Sequence, residues 1–188
     1  MARALLWIVF SGPLGLGIAL YLIDEISYGE LLSWSGVATV WLLLFTLTVS
    51  ALWRRFPGRP VIRAMRQRRR DFGLITFACA LLHVLAYLER KAEPERIFAE
   101  AQRPDLLIGW LAFAGLAILA LTSNDFSVRW LGRRWRALHM TVYGAAALTF
   151  AHWVMSAYDP TAGWLCAGVF AVLLAFRTRR GARPQAVS

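Results

Sequence analysis

The chain has 188 residues, of which 59% are hydrophobic, and its mean hydropathy is +0.52. This composition leaves no stretch polar enough for a soluble domain of useful size, so it predicts an integral membrane protein whose residues 1–188 form a single transmembrane domain. The net charge of +10 does not indicate nucleic-acid binding, because the Lys and Arg residues fall between apolar runs, where they act as topology signals.

Six apolar segments of membrane-spanning character follow one another along the chain, which predicts an all-α bundle of six transmembrane helices. Short acidic, basic or mixed connectors separate them, and the connector at 89–105 is typical of an interfacial helical turn. The predicted spans cover residues 4–23, 34–53, 72–88, 106–122, 137–158 and 163–176.

The charged residues between the spans predict the orientation of the bundle. Seventeen of the 21 Lys and Arg residues fall on the side that both termini share, whereas nine of the 11 acidic residues fall on the other side. Because basic loops stay in the cytoplasm, both termini are predicted to be cytoplasmic. The charge pattern therefore predicts a multi-pass membrane protein with six crossings.

The three histidines of the chain all lie within predicted spans, His83 in the third and both His139 and His152 in the fifth. No Asp, Glu, Lys or Arg lies deep in any span, and an imidazole at membrane depth normally has a partner or a function. Counted at about 1.5 Å per residue, His83 and His152 both fall in the outer half of the bilayer. Two neutral imidazoles on opposite sides of a porphyrin make a six-coordinate haem b. The sequence therefore predicts haem b between helices three and five, and interhelical hydrogen bonds or a proton relay are the alternatives.

His139 cannot ligate the same iron, because it precedes His152 by thirteen residues, or about 20 Å along a helix. The corresponding positions before His83 are Arg69 and Arg70, so a second bis-histidine haem lacks a partner. Three alternatives remain for His139: a second haem with a weaker or absent sixth ligand, a flavin contact, or an interfacial histidine that contacts lipid or a loop.

Arginines cluster at the predicted inner ends of spans three and five. They hold the topology and attract anionic membrane lipid, and some of them are candidates for binding haem propionates or a flavin phosphate, namely Arg69, Arg70, Arg133 and Arg134. Small residues also line these spans and would leave clearance for a porphyrin, although ordinary helix packing uses the same residues. They are Ala78, Cys79, Ala80, Ala112, Ala114, Gly115, Ala117, Gly144, Ala145, Ala146 and Ala147.

The stretches RRRDFGLITFACALLHVLAYL and ALTSNDFSVRWLGRRWRALHMTVYGAAALTFAHWV resemble the ferric-reductase-like transmembrane superfamily. Within it, the resemblance is to the haem-binding membrane subunits of periplasmic methionine sulfoxide reductase systems, and it covers roughly residues 34–158. The pattern of this family has histidines at the positions of His83, His139 and His152. One departure is Ser50-Ala51, where the family usually has Thr-Pro, and it leaves room for a sister subgroup with another acceptor.

The resemblance implies a membrane cytochrome b without bond-making chemistry of its own. Such a protein takes electrons from the quinone pool or a cytoplasmic flavin reductase and passes them to a periplasmic molybdopterin methionine sulfoxide reductase, which repairs oxidised proteins. Members of the family are also associated with FMN, for which this sequence shows no distinct motif. Two alternatives stay open, a ferric or cupric reductase relay with a different acceptor and a non-redox small transporter or assembly protein.

Overall fold

The computed structural model describes residues 2–56, 58–91 and 94–178, and within these ranges all regular secondary structure is helical. This confirms the predicted all-α class. The helices of the described ranges are α1 (Ala2–Leu22), α2 (Tyr28–Arg55), α3 (Pro60–Gln67), α4 (Arg69–Lys91), α5 (Pro94–Ala101), α6 (Pro104–Leu121), α7 (Asp125–Leu131), α8 (Arg133–Met140), α9 (Val142–Ser156) and α10 (Thr161–Thr178).

Three helices of the described part are both long and apolar enough to cross a membrane, namely α2, α4 over Arg69–Glu89, and α6. Shorter apolar helices at Trp7–Leu22 and Thr161–Phe176 correspond to the first and sixth predicted spans. The protein is thus helical and suited to a membrane, while the count of six crossings and the cytoplasmic termini stay predictions. The basic tail used for the orientation, with Arg179, Arg180 and Arg183, lies outside the described residues.

The fifth predicted span is not one continuous helix. At Thr141 the backbone N–H donates to the carbonyl of Leu138, three residues back, at 3.0 Å, and the Thr141 hydroxyl donates to the same carbonyl at 2.7 Å. This tight turn separates α8, which carries His139, from α9, which carries His152. The 15 residues of α9 rise about 22 Å, which is less than the bilayer core.

The connectors contain more helix than the sequence predicts. The predicted loop at 123–136 forms α7 and the start of α8, joined at Gly132, whose φ of 51° is accessible to glycine without steric penalty. The α7 helix is tied to the beginning of α4, because Arg70 Nη1 donates to Asp125 Oδ1 at 2.8 Å. That hydrogen bond and the charge of the guanidinium lower the pKa of the Asp125 carboxyl.

Two helix pairs build the centre of the bundle, α2 against α4 and α6 against α9. Outside them, α1 packs on α2 and α4, and α10 packs on α9 and α2. Where the pairs meet, buried side chains form a common core, namely Val40, Leu43, Leu44, Leu47, Ala80, Leu116, Ala145, Ala146, Phe150, Cys166 and Phe170. Three of these residues, Val40, Ala80 and Leu116, also line a cavity between the two pairs.

Candidate functional site

A cavity of about 570 Å³ lies between the α2/α4 pair and the α6/α9 pair. Cofactor and small-molecule sites commonly have volumes of about 300–1,000 Å³. The wall is mainly apolar and aromatic, with Ala80, Ala112, Phe113 and Trp153 among its residues. The cavity reaches the helix ends next to the acidic connectors, where the lining includes Gly29, Tyr87, Tyr158 and Asp159.

His83 and His152 both line this cavity, the first from α4 and the second from α9. Their ring centroids are 6.4 Å apart and their ring planes make an angle of 78°. The structure therefore brings together the two histidines that the sequence analysis selected as a pair.

Each imidazole is held by a backbone carbonyl of the partner helix in its pair. His83 Nδ1 donates to the carbonyl oxygen of Leu32 at 2.9 Å, and His152 Nδ1 donates to that of Asp105 at 2.7 Å. Because a carbonyl oxygen only accepts, Nδ1 carries the proton in both rings, which leaves the lone pair of Nε2 available. Within the described residues, neither Nε2 makes a hydrogen bond to the protein. The Ser156 hydroxyl also lies 3.2 Å from His152 Nδ1.

The separation of the two rings fits one metal ion between them. An imidazole nitrogen lies about 2 Å from a first-row metal, so two such bonds and the two ring radii add up to about 6 Å, close to the observed 6.4 Å. The described residues hold no group of three or more His, Cys, Asp and Glu side chains able to bind a metal. A metal here would therefore take two imidazoles from the protein and its other donors from a ligand. A porphyrin supplies four such donors, so the site fits haem.

His139 lies apart from this pair. Its ring stacks on Trp135 with the centroids 4.0 Å apart, and its Nε2 is 3.2 Å from the Thr122 hydroxyl. The Trp135 indole N–H in turn donates to the Thr122 carbonyl at 2.9 Å. These contacts attach α8 to the end of α6, and they occupy Nε2 of the ring.

The four candidate arginines do not line the cavity. Arg69 and Arg70 begin α4, about 20 Å along the helix axis from His83, and Arg70 pairs with Asp125. Arg133 and Arg134 are exposed in the first turn of α8. Any contact of these side chains with propionates or a flavin phosphate would therefore belong to a separate inner site, and that assignment stays a prediction.

The small residues predicted to give clearance do not all line the cavity; Ala114, Gly144 and Ala147, for example, are exposed. Ala80 and Ala112 line the cavity, as the porphyrin interpretation requires. In contrast, Ala145 and Ala146 are buried in the helix core, and a Cβ at Gly115 would lie 3.2 Å from the Cβ of Ala145. These residues serve close helix packing, which was the alternative interpretation.

Sequence reasoning missed the residues that hold the two imidazoles. Gly36 and Gly109 lie against the rings of His83 and His152, with no side chain between ring and helix. One signal was available for the first of them, because Gly36 is the single glycine of the second predicted span. The acceptor carbonyls of Leu32 and Asp105 left no signal, since every residue has a carbonyl.

Comparison with known proteins identifies the family to which these features correspond. Residues 34–150 match the family described as ferric reductase like transmembrane component. His83 and His139 lie within the matched region, and His152 lies two residues beyond it.

Curated relatives extend the likeness over most of the chain. It is 36% identical over 159 residues to the protein-methionine-sulfoxide reductase heme-binding subunit MsrQ of Bordetella pertussis, covering 79% of this chain and 75% of that protein. It is also 36% identical over 149 residues to the MsrQ of Brucella ovis, covering 77% of this chain and 66% of that protein.

Proposed function

Because this chain belongs to the ferric-reductase-like transmembrane family, in the group of MsrQ haem-binding subunits, we propose that it is the membrane cytochrome b of a methionine sulfoxide reductase system. One observation carries the proposal. Two imidazoles with free Nε2 atoms face each other across a cavity of cofactor size, at a separation that fits a single iron.

In this proposal His83 and His152 are the residues that would hold one haem b. Such a haem, when bound, accepts and releases single electrons without binding substrate at its iron. The protein contributes the geometry: the Leu32 and Asp105 carbonyls fix the tautomer of each ring. Apolar and aromatic residues such as Phe113 and Trp153 provide the wall against which the porphyrin would pack.

We further propose a bacterial inner-membrane location, with electrons entering from the cytoplasmic side and leaving on the periplasmic side. The donor is then the quinone pool or a cytoplasmic flavin reductase, and the acceptor is a periplasmic MsrP-type molybdopterin reductase. The charge asymmetry supports this direction, because the cavity lies at the acid-rich end of the helices and the candidate arginines lie at the other end.

The proposal is tested on the full chain purified in detergent after expression with ample haem. We expect a sharp α band on reduction, as a six-coordinate haem gives, and reoxidation of that band when an MsrP-type reductase and a methionine sulfoxide are added together. Reoxidation by a ferric chelate but not by the reductase would favour the alternative relay. A colourless protein would contradict the proposal and favour a transporter or assembly role.

His139 provides a prediction within this experiment. We expect His139→Ala to keep the α band and midpoint potential of the His83–His152 haem, because its ring contacts Trp135 and Thr122 and not the cavity. The measurement is a redox titration of the variant beside the wild type. Haem per chain, determined on the same samples, counts the sites: a loss of one haem would assign a second haem to His139. Simultaneous loss of the outer haem in a folded variant would contradict the separation of the two sites.

A further inference from the structure

Two glycines lie where the imidazoles cross the neighbouring helices. A Cβ at Gly109 on α6 would lie 2.8 Å from both Cε1 and Nδ1 of His152, and 3.2 Å from its Cγ. A Cβ at Gly36 on α2 would lie 3.0 Å from the same two ring atoms of His83. Approaches under 3.0 Å require something to shift, so a Cβ at position 109 would displace the ring of His152.

The two contacts are built in the same way. The carbonyl that accepts from His83 belongs to Leu32, four residues before Gly36, and the one that accepts from His152 belongs to Asp105, four residues before Gly109. Residues four apart on a helix lie on one face, one turn above each other. A helical carbonyl keeps a second lone pair for such a donor. Each ring therefore lies across a helix face that offers a carbonyl oxygen as acceptor and, one turn later, a glycine without a side chain.

From this repeated geometry we infer that Gly36 and Gly109 are positioning residues for the axial ligands of the haem. Each glycine lets the ring approach the carbonyl one turn earlier, which holds the proton on Nδ1 and directs Nε2 into the cavity. Together the two contacts hold the ring planes close to perpendicular, at the observed 78°. The inference rests on the proposed haem site and extends it to residues that would not touch the iron.

Perpendicular ligand planes have a spectroscopic consequence. The relative orientation of two axial imidazoles controls the splitting of the iron d orbitals. Parallel planes give a ferric low-spin electron paramagnetic resonance spectrum with three well-separated moderate g values. Near-perpendicular planes instead give one very large g value and two broad features. We expect the second kind of spectrum for the haem between His83 and His152.

The test compares Gly109→Ala and Gly36→Ala with the wild type, each as the full chain loaded with haem. In Gly109→Ala the added methyl group displaces the His152 ring from the Asp105 carbonyl. Loss of such an outer-shell hydrogen bond lowers metal affinity about 10–100-fold, and the large g value and the midpoint potential should shift as well. Gly36→Ala should act in the same direction but less strongly, because its Cβ would meet the ring at 3.0 Å and the Cγ of His83 only at 3.9 Å.

Two control variants separate ligand positioning from general effects on the bundle. Gly144 lies on the same helix as His152, and a Cβ there would meet nothing within 4 Å. Gly115 lies on the same helix as Gly109, but its Cβ would contact Ala145 at 3.2 Å and no histidine. We expect Gly144→Ala and Gly115→Ala to keep the g values of the wild type, even if Gly115→Ala lowers thermal stability.

The outcomes are separable. A haem-loaded wild type with parallel ligand planes would overturn the inference, and so would a folded Gly109→Ala with unchanged affinity, g values and potential. If Gly109→Ala is not monodisperse after purification, the inference is judged from the wild-type spectrum and from the response of Gly36→Ala. A wild-type chain that binds no haem would overturn the proposed function itself. If the chain binds haem but the glycine variants keep its affinity, g values and potential, only the role of the glycines is overturned.

Discussion

We expect the replacement of either His83 or His152 by alanine to abolish the sharp reduced α band. Each substitution would remove one of the two imidazoles proposed to hold the haem, whose rings line the cavity 6.4 Å apart, so haem that remains bound should be five-coordinate and high-spin. Loss of an outer-shell partner alone lowers metal affinity about 10–100-fold, so loss of a ligand should lower haem affinity by about 100-fold or more. Haem titration into the purified variants and their reduced spectra measure both effects.

Added imidazole distinguishes the loss of a ligand from a general structural effect of the substitution. The alanine variants leave a space of the size of the missing ring, so millimolar imidazole should restore the low-spin spectrum in His83→Ala and His152→Ala. His139→Ala is the matched control, because it removes the remaining histidine of the chain without touching the cavity. Retention of the wild-type band in both single alanine variants would contradict the assignment of this pair as ligands.

Filling the cavity should remove the haem while both ligands stay in place. Ala112 is 4% exposed and lines the cavity from α6, so the ring of Ala112→Phe would extend into the space of the porphyrin. We expect a folded, colourless protein. Since filling a void with apolar atoms commonly stabilises a protein by about 0.5–2 kcal/mol, thermal stability without haem should be unchanged or higher.

Ala114→Phe is the matched control for that variant. Ala114 lies two residues further along α6 and is exposed on the outer surface of the bundle, so the same substitution there should keep the wild-type haem content. The measurements are haem per chain and thermal stability of both variants side by side. Full haem content in Ala112→Phe would show that the haem does not occupy this cavity.

The helices of this protein could largely be predicted from its sequence. Apolar segments and the charged connectors between them are local properties, and they predicted the long helices α2, α4 and α6 closely because a backbone in lipid must satisfy its own hydrogen bonds. The same local reasoning failed at Thr141, where a single turn of different hydrogen bonding divides the fifth predicted span. It also missed α7, although the helix begins at a local N-cap, where the Asn124 side chain accepts from the Ser127 backbone N–H.

The candidate site was predicted only in part. Two local arguments selected His83 and His152: a titratable side chain at membrane depth needs a reason, and the helix rise puts both in the outer half of the bilayer. Which helix faces meet was beyond sequence reasoning, because membrane helices are apolar both toward lipid and toward each other, so hydrophobic periodicity does not identify the buried side. The tertiary structure alone decided that the rings lie 6.4 Å apart, that carbonyls of α2 and α6 hold them, and that Gly36 and Gly109 make room for them.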